Sequence, residues 1–379
     1  MRTDDATVER HETVIIGAGQ TGLAVGYHLA KRQQQFVLLD EHARIGDCWR
    51  ERYDSLRLYT PAKYNGLPGM PFPGKPHHFP RGAEMGDFLE TYTTQFQLPV
   101  VGGVRVDGVF ADGDQYLVTA GERRIRTANV VVATGGQHIP FTPAFADQLD
   151  PGIRQIHSND YRNPSQLLPG DVLVVGASHS GADLALELSA EHRTVLSGPR
   201  TGQIPFDIEG RPARVILRGL WFVANHILTV RTPLGRKMRA EVRTHGGPLL
   251  RVKAADLAAA GVEWVPEHTA GARDGLPVLE SGRVLEVRNV IWCTGFRQDL
   301  SWIRLPILDE DGWPMQRDGI VHSQPGIYFN GLIFQSAFAS MLVGGAGRDA
   351  QRIAKNIASR SKMHRRVTAQ AGTPAAEPA

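Results

Sequence analysis

The most constraining feature of the sequence is Thr13–Gly22, TVIIGAGQTG. A short apolar run leads directly into the pattern G-x-G-x-x-G and then into Leu23–Lys31, which predicts a strand, a glycine turn and a helix. Gly17 makes the tight turn, Gly19 lets the backbone approach a pyrophosphate, and Gly22 lets the helix pack closely on the strand. Because a helix N-terminus favours phosphate, the stretch predicts a dinucleotide-binding site.

Asp40 supports this prediction. It ends the next apolar run, Phe36–Leu39, about 20 residues after the glycine pattern, where an acid that bonds ribose hydroxyls is expected. Beyond it, residues 41–73 form a long irregular stretch rich in Gly, Pro and aromatic residues. Such loops are usually functional or disordered, and the aromatic content argues against disorder. A packed surface Ω-loop is the alternative.

A second glycine pattern follows at Leu173–Gly181, LVVGASHSG, in which Ser178 replaces the middle glycine. The next strand, Arg193–Leu196, is followed by Ser197 and Arg200, with no acid at the strand end. A hydroxyl and an arginine suit a ribose 2′-phosphate, which an acid would repel. The pattern therefore favours NADPH over NADH, with an ordinary surface arginine as the alternative.

Two other apolar strands each end in a Thr-Gly pair, Thr134-Gly135 and Thr294-Gly295. Two phosphate-binding units and two such strand ends predict two dinucleotides bound face to face. The predicted fold is α/β, with two Rossmann-like domains of the glutathione reductase type, one inserted in the other.

Composition excludes several classes of protein. The 379 residues carry a net charge of +3, which gives no reason to expect nucleic acid as a partner. Cys48 and Cys293, the two cysteines, supply neither a disulfide framework nor a metal site. The polar N-terminus predicts no secretory signal, and Gly219–Val230 is too short for a transmembrane segment. We therefore expect a cytoplasmic protein, with homodimer formation left open.

The chain resembles the class B flavoprotein monooxygenases of the flavin-containing monooxygenase type, including the plant YUCCA enzymes and bacterial single-component relatives. The resemblance runs from about Thr13 to Ala358. Besides the two glycine patterns, Asp40 and the Thr-Gly pairs, it is carried by three groups of residues: Gly46 and Trp49 followed by Leu56–Pro61, then Met70–Pro73, and His157–Tyr161.

The resemblance implies FAD on the first glycine pattern and NADPH on the second. Hydride would reduce the flavin, and O2 would form a C4a-hydroperoxide that oxygenates a small nucleophilic substrate. Because such chemistry belongs to the cofactor, no catalytic residue is predicted. The glycine patterns and the resemblance together predict these cofactor contacts: Gly17, Gly19, Gln20, Thr21, Gly22, Asp40, Glu41, Trp49, Arg50, Thr60, Val106, Thr134, Gly135, Gly176, Ser178, Ser180, Gly181, Ser197, Arg200, Thr294, Gly295 and Gln335.

The implied domain division has four parts. Residues 1–165 and 291–360 form the FAD domain, and residues 166–290 form the NADPH domain. A helical insertion at about 211–253 carries an apolar stretch and then a basic one. We interpret it as a packed helix with a solvated basic end, with a helix on a membrane surface as the alternative. Residues 361–379 are expected to be a disordered tail.

The sequence departs from the family pattern at several positions. Gly152 lies five residues before His157 instead of four, and no Phe precedes it. His157 could equally be a capping or core histidine. Tyr161 stands where Baeyer–Villiger enzymes carry Trp, which favours N- or S-oxygenation. Thr60 and its neighbours replace the Asn of animal-type enzymes. Gln335 is predicted beside the isoalloxazine ring.

Three alternatives remain. A disulfide reductase would need a redox pair of cysteines beside the flavin, which Cys48 and the distant Cys293 do not suggest. A flavin reductase or NAD(P)H oxidase would share every cofactor residue. A non-catalytic FAD-binding protein is favoured only by Ser178 in the second pattern.

Overall fold

The computed structural model describes residues 8–136, 139–244 and 246–371. Two sheets, each centred on parallel strands, form a mixed α/β fold with Rossmann-like strand–loop–helix units. The sheets are joined by two crossings of the chain, and helices cover their faces. The predicted α/β class is confirmed at this level.

The first sheet has seven strands in the order β3-β2-β1-β6-β5-β4, and β16 also pairs with β6. Pairing is parallel among β1, β2, β3, β6 and β16 and antiparallel from β4 to β6. The strands are β1 (Val8–Ile16), β2 (Val37–Leu39), β3 (Val100–Val101), β4 (Gly108–Asp112), β5 (Gln115–Ala120), β6 (Arg123–Val132) and β16 (Ile327–Phe329).

Helices α1 (Gln20–Ala30), α3 (Gly82–Gln95) and α8 (Ala346–Ala371) cover one face of this sheet. The central strands are apolar in succession because both of their faces are buried. Ile15 and Val131 pack toward these helices, whereas Val14 and Val130 pack toward the opposite core. The short helix α2 (Asp47–Arg50) precedes α3.

The second sheet is parallel throughout, in the order β11-β10-β9-β14-β8. Helices α4 (His179–Leu188) and α7 (Ala254–Ala259) accompany it, and β12 (Thr269–Arg273) pairs with β13 (Leu276–Leu279) in a separate hairpin. The strands of the sheet are β8 (Arg154–His157), β9 (Val172–Val175), β10 (Thr194–Ser197), β11 (Glu263–Val265) and β14 (Asn289–Trp292).

The chain crosses between the sheets at β7 (Ile139–Pro140) and returns at β15 (Phe296–Arg297), and these two segments pair as an antiparallel ribbon. β8 and β14 both lie in the second sheet, so the predicted division at 165 comes too late and the one at 290 falls inside β14. The sequence Arg154–His157 is a short edge strand with no apolar run, which explains why it escaped recognition.

The predicted insertion is helical, with α5 (Ala213–Phe222), a π-helical turn at Val223–Ile227 and α6 (Pro233–Thr244). Residues 361–371, which were expected to belong to a disordered tail, continue α8. Residues 372–379 lie outside the described part of the chain.

Candidate functional site

The first glycine loop lies at the carboxyl end of β1, between β2 and β6. Gly17 has a φ of +98°, and its N–H donates to Leu39 O at 2.7 Å. A Cβ on Gly17 would lie 2.6 Å from Ala133 O, and one on Gly22 would lie 1.9 Å from Gly17 O. Both positions are therefore closed to any side chain.

Gly19 is different from its two neighbours in the pattern. Its φ is −72°, which any residue adopts, and a Cβ there would meet no atom within 4 Å. The backbone does not demand glycine here, so the missing side chain only keeps the space above the N-terminus of α1 open. A pyrophosphate needs this space and the N–H groups that face it.

Asp40, at the end of β2, faces the loop. Its carboxylate accepts from Ala18 N–H at 2.6 Å and from His42 N–H at 2.9 Å, and it lies 3.1 Å from His42 Nδ1. Burial alone would raise the pKa of Asp40, but the hydrogen bonds from His42 and Ala18 outweigh it and lower that pKa. The hydrogen bond to Asp40 raises the pKa of His42. The carboxylate therefore stays ionised and keeps the acceptor capacity that ribose hydroxyls require.

Other predicted residues converge on the same loop. Trp49 Nε1 donates to Gln20 Oε1 at 3.2 Å, which ties the loop after β2 to the start of α1. The Thr21 hydroxyl donates to Ala133 O at 3.3 Å, so its backbone is the part of Thr21 available to a ligand. Gly135, at the end of β6, has a φ of +79° and open space around it, beside the exposed Thr134.

Three other predicted contacts have neighbours elsewhere in the chain. Thr60 is held by Asn65, whose Oδ1 accepts its hydroxyl at 2.6 Å. Glu41 is exposed, 3.9 Å from Arg105, and Val106 packs against the core under β4. None of these contacts brings the three side chains to Gly19 itself.

The Arg50 side chain is held by the protein itself. Its guanidinium donates to Asp47 at 3.1 Å, Asp87 at 2.9 Å and Glu90 at 2.8 Å, and to Ile45 O at 2.7 Å. These partners use the guanidinium donors, and they join α2 to α3. The Arg50 side chain therefore has a structural role in this helix pair, and its predicted cofactor contact stays a prediction.

Gln335 is also buried away from solvent, with only 1% of its surface exposed. Its Oε1 accepts from Leu332 N–H at 3.3 Å. Its Nε2 lies beside Gly319 and has no partner among the described residues. Its predicted position beside the isoalloxazine ring stays a prediction.

Asn330 is a candidate that the sequence reasoning missed. It follows β16 directly, is 2% exposed, and its Nδ2 donates to Thr21 O at 2.9 Å. Its Oδ1 is buried without a partner in the described chain, beside Gly331 with a φ of +97°. An orphaned acceptor next to the first glycine loop suits a ligand hydroxyl. The Asn-Gly pair after an apolar strand was the available signal.

The second glycine loop repeats the closed geometry of the first. A Cβ on Gly176, where φ is +105°, would lie 2.3 Å from Cys293 O, and one on Gly181 would lie 1.7 Å from Gly176 O. However, Ser178, which corresponds to Gly19 of the first loop, is not open. The Ser178 hydroxyl donates to Gly247 O at 3.0 Å, and His179 Nε2 lies 2.8 Å from Pro248 O.

The residues around this second loop divide into accessible and enclosed ones. Arg200 is exposed, with its guanidinium 4.9 Å from the centre of the Trp264 ring, and Ser180 is half-buried on α4. The Ser197 hydroxyl donates to Glu267 O at 2.8 Å and accepts from Thr269 at 2.9 Å, and the residue is 1% exposed. These partners occupy the hydroxyl, and the predicted cofactor contact of Ser197 stays a prediction.

His157 and the second Thr-Gly pair join the sheets. His157 Nε2 lies 3.1 Å from Gly295 O, and its Nδ1 accepts from Asn159 N–H at 3.1 Å. These partners fix a neutral ring with the proton on Nε2, and burial lowers the pKa of His157. The Thr294 hydroxyl donates to Phe141 O. His157 therefore has a structural role at the return crossing, while Tyr161 is fully buried.

The two thiols do not form a redox pair. Both cysteines are free, and burial raises the pKa of Cys48 and of Cys293 to about 12. A thiol of this kind stays protonated at neutral pH and is a poor nucleophile.

One open pocket of about 470 Å³ lies between the loop after α2 and the insertion. Lys63, Leu67 and Met70 line it together with Trp221, whose ring stacks on Tyr64 at 4.7 Å. The loop after α2 and the helical insertion form its walls, and neither segment belongs to a sheet or to a glycine loop.

Residues 14–204 match the family model described as pyridine nucleotide-disulphide oxidoreductase. The chain is 35% identical over 348 residues to the uncharacterized oxidoreductase CzcO-like protein of Geobacillus kaustophilus, covering 91% of this chain and 98% of that one. The chain belongs to this oxidoreductase family.

Two further comparisons place the chain within the family. It is 27% identical to the probable indole-3-pyruvate monooxygenase YUCCA3 of Arabidopsis thaliana, over 92% of this chain and 87% of that one. A flavin-containing monooxygenase from Stenotrophomonas maltophilia matches with a TM-score of 0.75 at 25% identity, covering 93% of this chain and 100% of that one. The resemblance to class B flavin monooxygenases is therefore confirmed, and members of that class use FAD and NADPH.

Two kinds of feature are missing from the part of the chain that the structure describes. No helix there combines the length and apolar character needed to span a membrane. No group of three metal-ligating side chains comes together in the same residues.

The His42–Asp40 pair generates a pH prediction. Because the pKa of His42 is raised in the folded chain, the charged pair contributes fully below the ordinary pKa of 6.5 and is lost as pH rises through the raised value. His42→Ala should therefore cost more stability at pH 5.5 than at pH 9, by roughly 0.2–1 kcal/mol. Thermal unfolding at both pH values measures this, with the exposed His226→Ala as the matched control.

Proposed function

We propose that this chain is an NADPH-dependent flavoprotein monooxygenase that oxygenates a small nucleophilic molecule, with nitrogen or sulfur as the favoured acceptor. One observation carries the proposal. Around the open position at Gly19, the carboxylate of Asp40 contacts Ala18 and Asn330, with its unpartnered Oδ1, contacts Thr21. The open position at Gly19 suits the pyrophosphate of a dinucleotide, Asp40 suits its ribose, and Asn330 suits a further polyol.

In this proposal the first loop holds FAD. The N-terminus of α1 would face the pyrophosphate across Gly19, Asp40 would accept from ribose hydroxyls, and Asn330 would accept from the ribityl chain. Bound there, FAD would supply hydride acceptance and oxygen activation. The protein's own part is to orient the cofactor, to exclude water and to hold Asp40 as a carboxylate.

We assign NADPH to the second loop. Arg200 is exposed beyond the end of β10. Ser197, the other predicted contact at that strand end, is enclosed. A lone guanidinium stacked on Trp264 is pre-organised for a ribose 2′-phosphate. Gly176 and Gly181 would set the pyrophosphate at the start of α4.

The proposed domains follow the cofactors and the observed sheets. The FAD domain would comprise the first sheet, and the NADPH domain the second sheet inserted between β7 and β15. Two free, half-buried thiols suit a reducing compartment, so we place the protein in the cytoplasm.

Particular residues bear on the alternative functions and on the class of substrate. High thiol pKa values at Cys48 and Cys293 disfavour a disulfide reductase. A reductase or oxidase that only passes electrons to O2 would use the same loops. Among relatives, the plant protein named as acting on indole-3-pyruvate supports a small organic substrate, and Tyr161 in place of Trp supports nitrogen or sulfur over a ketone.

Stopped-flow absorbance tests the function itself. NADPH should bleach the flavin under nitrogen, and O2 should then give a transient species before the oxidised spectrum returns. A substrate screen that follows NADPH consumption and peroxide release would identify compounds that divert oxygen into product. Bleaching without any transient would leave an oxidase, and absence of bleaching by either nicotinamide would leave a binding protein.

Gly19→Val should abolish FAD binding without unfolding the chain. The backbone at Gly19 already suits valine and the space around it is free, so the side chain would collide only with the pyrophosphate. Gly22→Val is the matched control, because its Cβ meets Gly17 O and should unfold the protein. Flavin absorbance and thermal unfolding separate the two outcomes. A yellow, fully loaded Gly19→Val protein would refute the assignment.

Arg200→Ala should raise the KM for NADPH by at least tenfold while leaving that for NADH nearly unchanged. A lost charge-assisted contact to the 2′-phosphate costs about 1.5–3 kcal/mol, and NADH lacks that phosphate. Steady-state kinetics with both nicotinamides give the comparison, and Arg154→Ala, exposed on β8, is the control. An equal effect on both would mean that Arg200 does not contact the 2′-phosphate.

A further inference from the structure

The helical insertion exposes an unusual amount of apolar surface. Of the eleven large apolar side chains exposed in the described chain, six lie between residues 215 and 234. Val215 is 76% exposed and Phe222 is 58% exposed. Exposed apolar surface concentrated in one segment of a folded protein favours an interaction site there. We define the insertion face as Val215, Ile216, Leu220, Phe222, Ile227 and Leu234.

Helix α5 presents two apolar faces. One face packs inward, where Ala213 is buried and Trp221 stacks on Tyr64 at 4.7 Å. The other face is the exposed one: Val215 and Phe222 are seven residues apart on one ridge, and Ile216 and Leu220 lie on the next. A surface helix with a polar outer face would need only the inner apolar stripe. The packed helix we expected therefore has a second apolar side.

Hydrogen bonds to the C-terminal part of the chain fix the insertion in place. Val230 N–H donates to Ser336 O at 3.0 Å, and Phe338 N–H donates to Leu228 O at 2.9 Å. Arg348, on α8, donates to Asn225 O at 2.6 Å. These bonds join the insertion to the segment after β16, so the insertion face is held outward.

The segment that carries the insertion face is basic. Residues 210–240 contain seven Arg and Lys and no Asp or Glu. Arg214 and Arg218 are four residues apart on one edge of α5, and Arg211 precedes the helix by two residues. Among the described residues, these three arginines have no carboxylate within ion-pair distance; Arg231, by contrast, pairs with Asp318 at 2.8 Å.

We propose that the insertion face docks the protein on an anionic lipid bilayer. Apolar side chains beside a row of unpaired cations are the composition of a helix that lies in the membrane interface. The side chains would enter the boundary between headgroups and acyl chains, and the arginines would contact lipid phosphates. A second copy of the chain fits less well, because an isologous contact would bring like charges together.

Vesicle cosedimentation of the full FAD-loaded chain tests the proposal. The protein should sediment with vesicles of phosphatidylcholine and phosphatidylglycerol, and should do so far less with phosphatidylcholine alone or at high salt. The double substitutions Leu220→Glu/Phe222→Glu and Arg214→Glu/Arg218→Glu should each lower partitioning at least tenfold.

Matched controls are Met315→Glu and Arg304→Glu, which change an exposed methionine and an exposed arginine elsewhere and should leave partitioning unchanged. Flavin absorbance and thermal unfolding confirm that every variant is folded. Failure to bind phosphatidylglycerol vesicles at low salt would overturn the proposal. So would a dimer, detected by sedimentation velocity, that Leu220→Glu/Phe222→Glu dissociates, because the face would then be an interface between copies.

Discussion

The contact between a loop carbonyl and the start of the following helix governs both halves of this protein. Gly17 O lies where a Cβ of Gly22 would be, and Gly176 O lies where a Cβ of Gly181 would be. This close approach directs the N-terminus of each helix at the carboxyl edge of its sheet. The dipole and the free N–H groups there give the edge its affinity for phosphate.

The two loops share this backbone and differ in what lies in front of it. No side chain approaches Gly19, whereas the Ser178 hydroxyl donates to Gly247 O, in the part of the insertion that follows α6. A ligand can enter the first loop directly. At the second loop it meets a segment of the protein, and a nicotinamide cofactor must either share that space or move the segment. This difference would let the first loop hold its cofactor permanently and the second loop hold its cofactor transiently.

Glycine spacing and buried strands are strong signals in the sequence because both are local, and they correctly predicted the two strand–loop–helix units. The sequence does not show which distant segment supplies the hydrogen-bond partners of a side chain. Arg50 looked like a cofactor contact, yet Asp87 and Glu90 of α3 hold it. Ser197 looked exposed, yet Thr269 encloses it. Asn330 went unnoticed because its importance depends on Thr21, more than 300 residues earlier.

The pairing of β16 with β6 has a consequence for how the chain is made. Ile327 lies beside Val130, so the first sheet lacks this strand until the whole second sheet has been synthesised. Helix α8, which supplies Ile353 and Ile357 to the core against α1, comes later still. A nascent chain that has reached β14 could therefore fold its second sheet first, while the N-terminal half waits for its last strand. Closing so long a loop is slow, and the wait exposes apolar strands to aggregation.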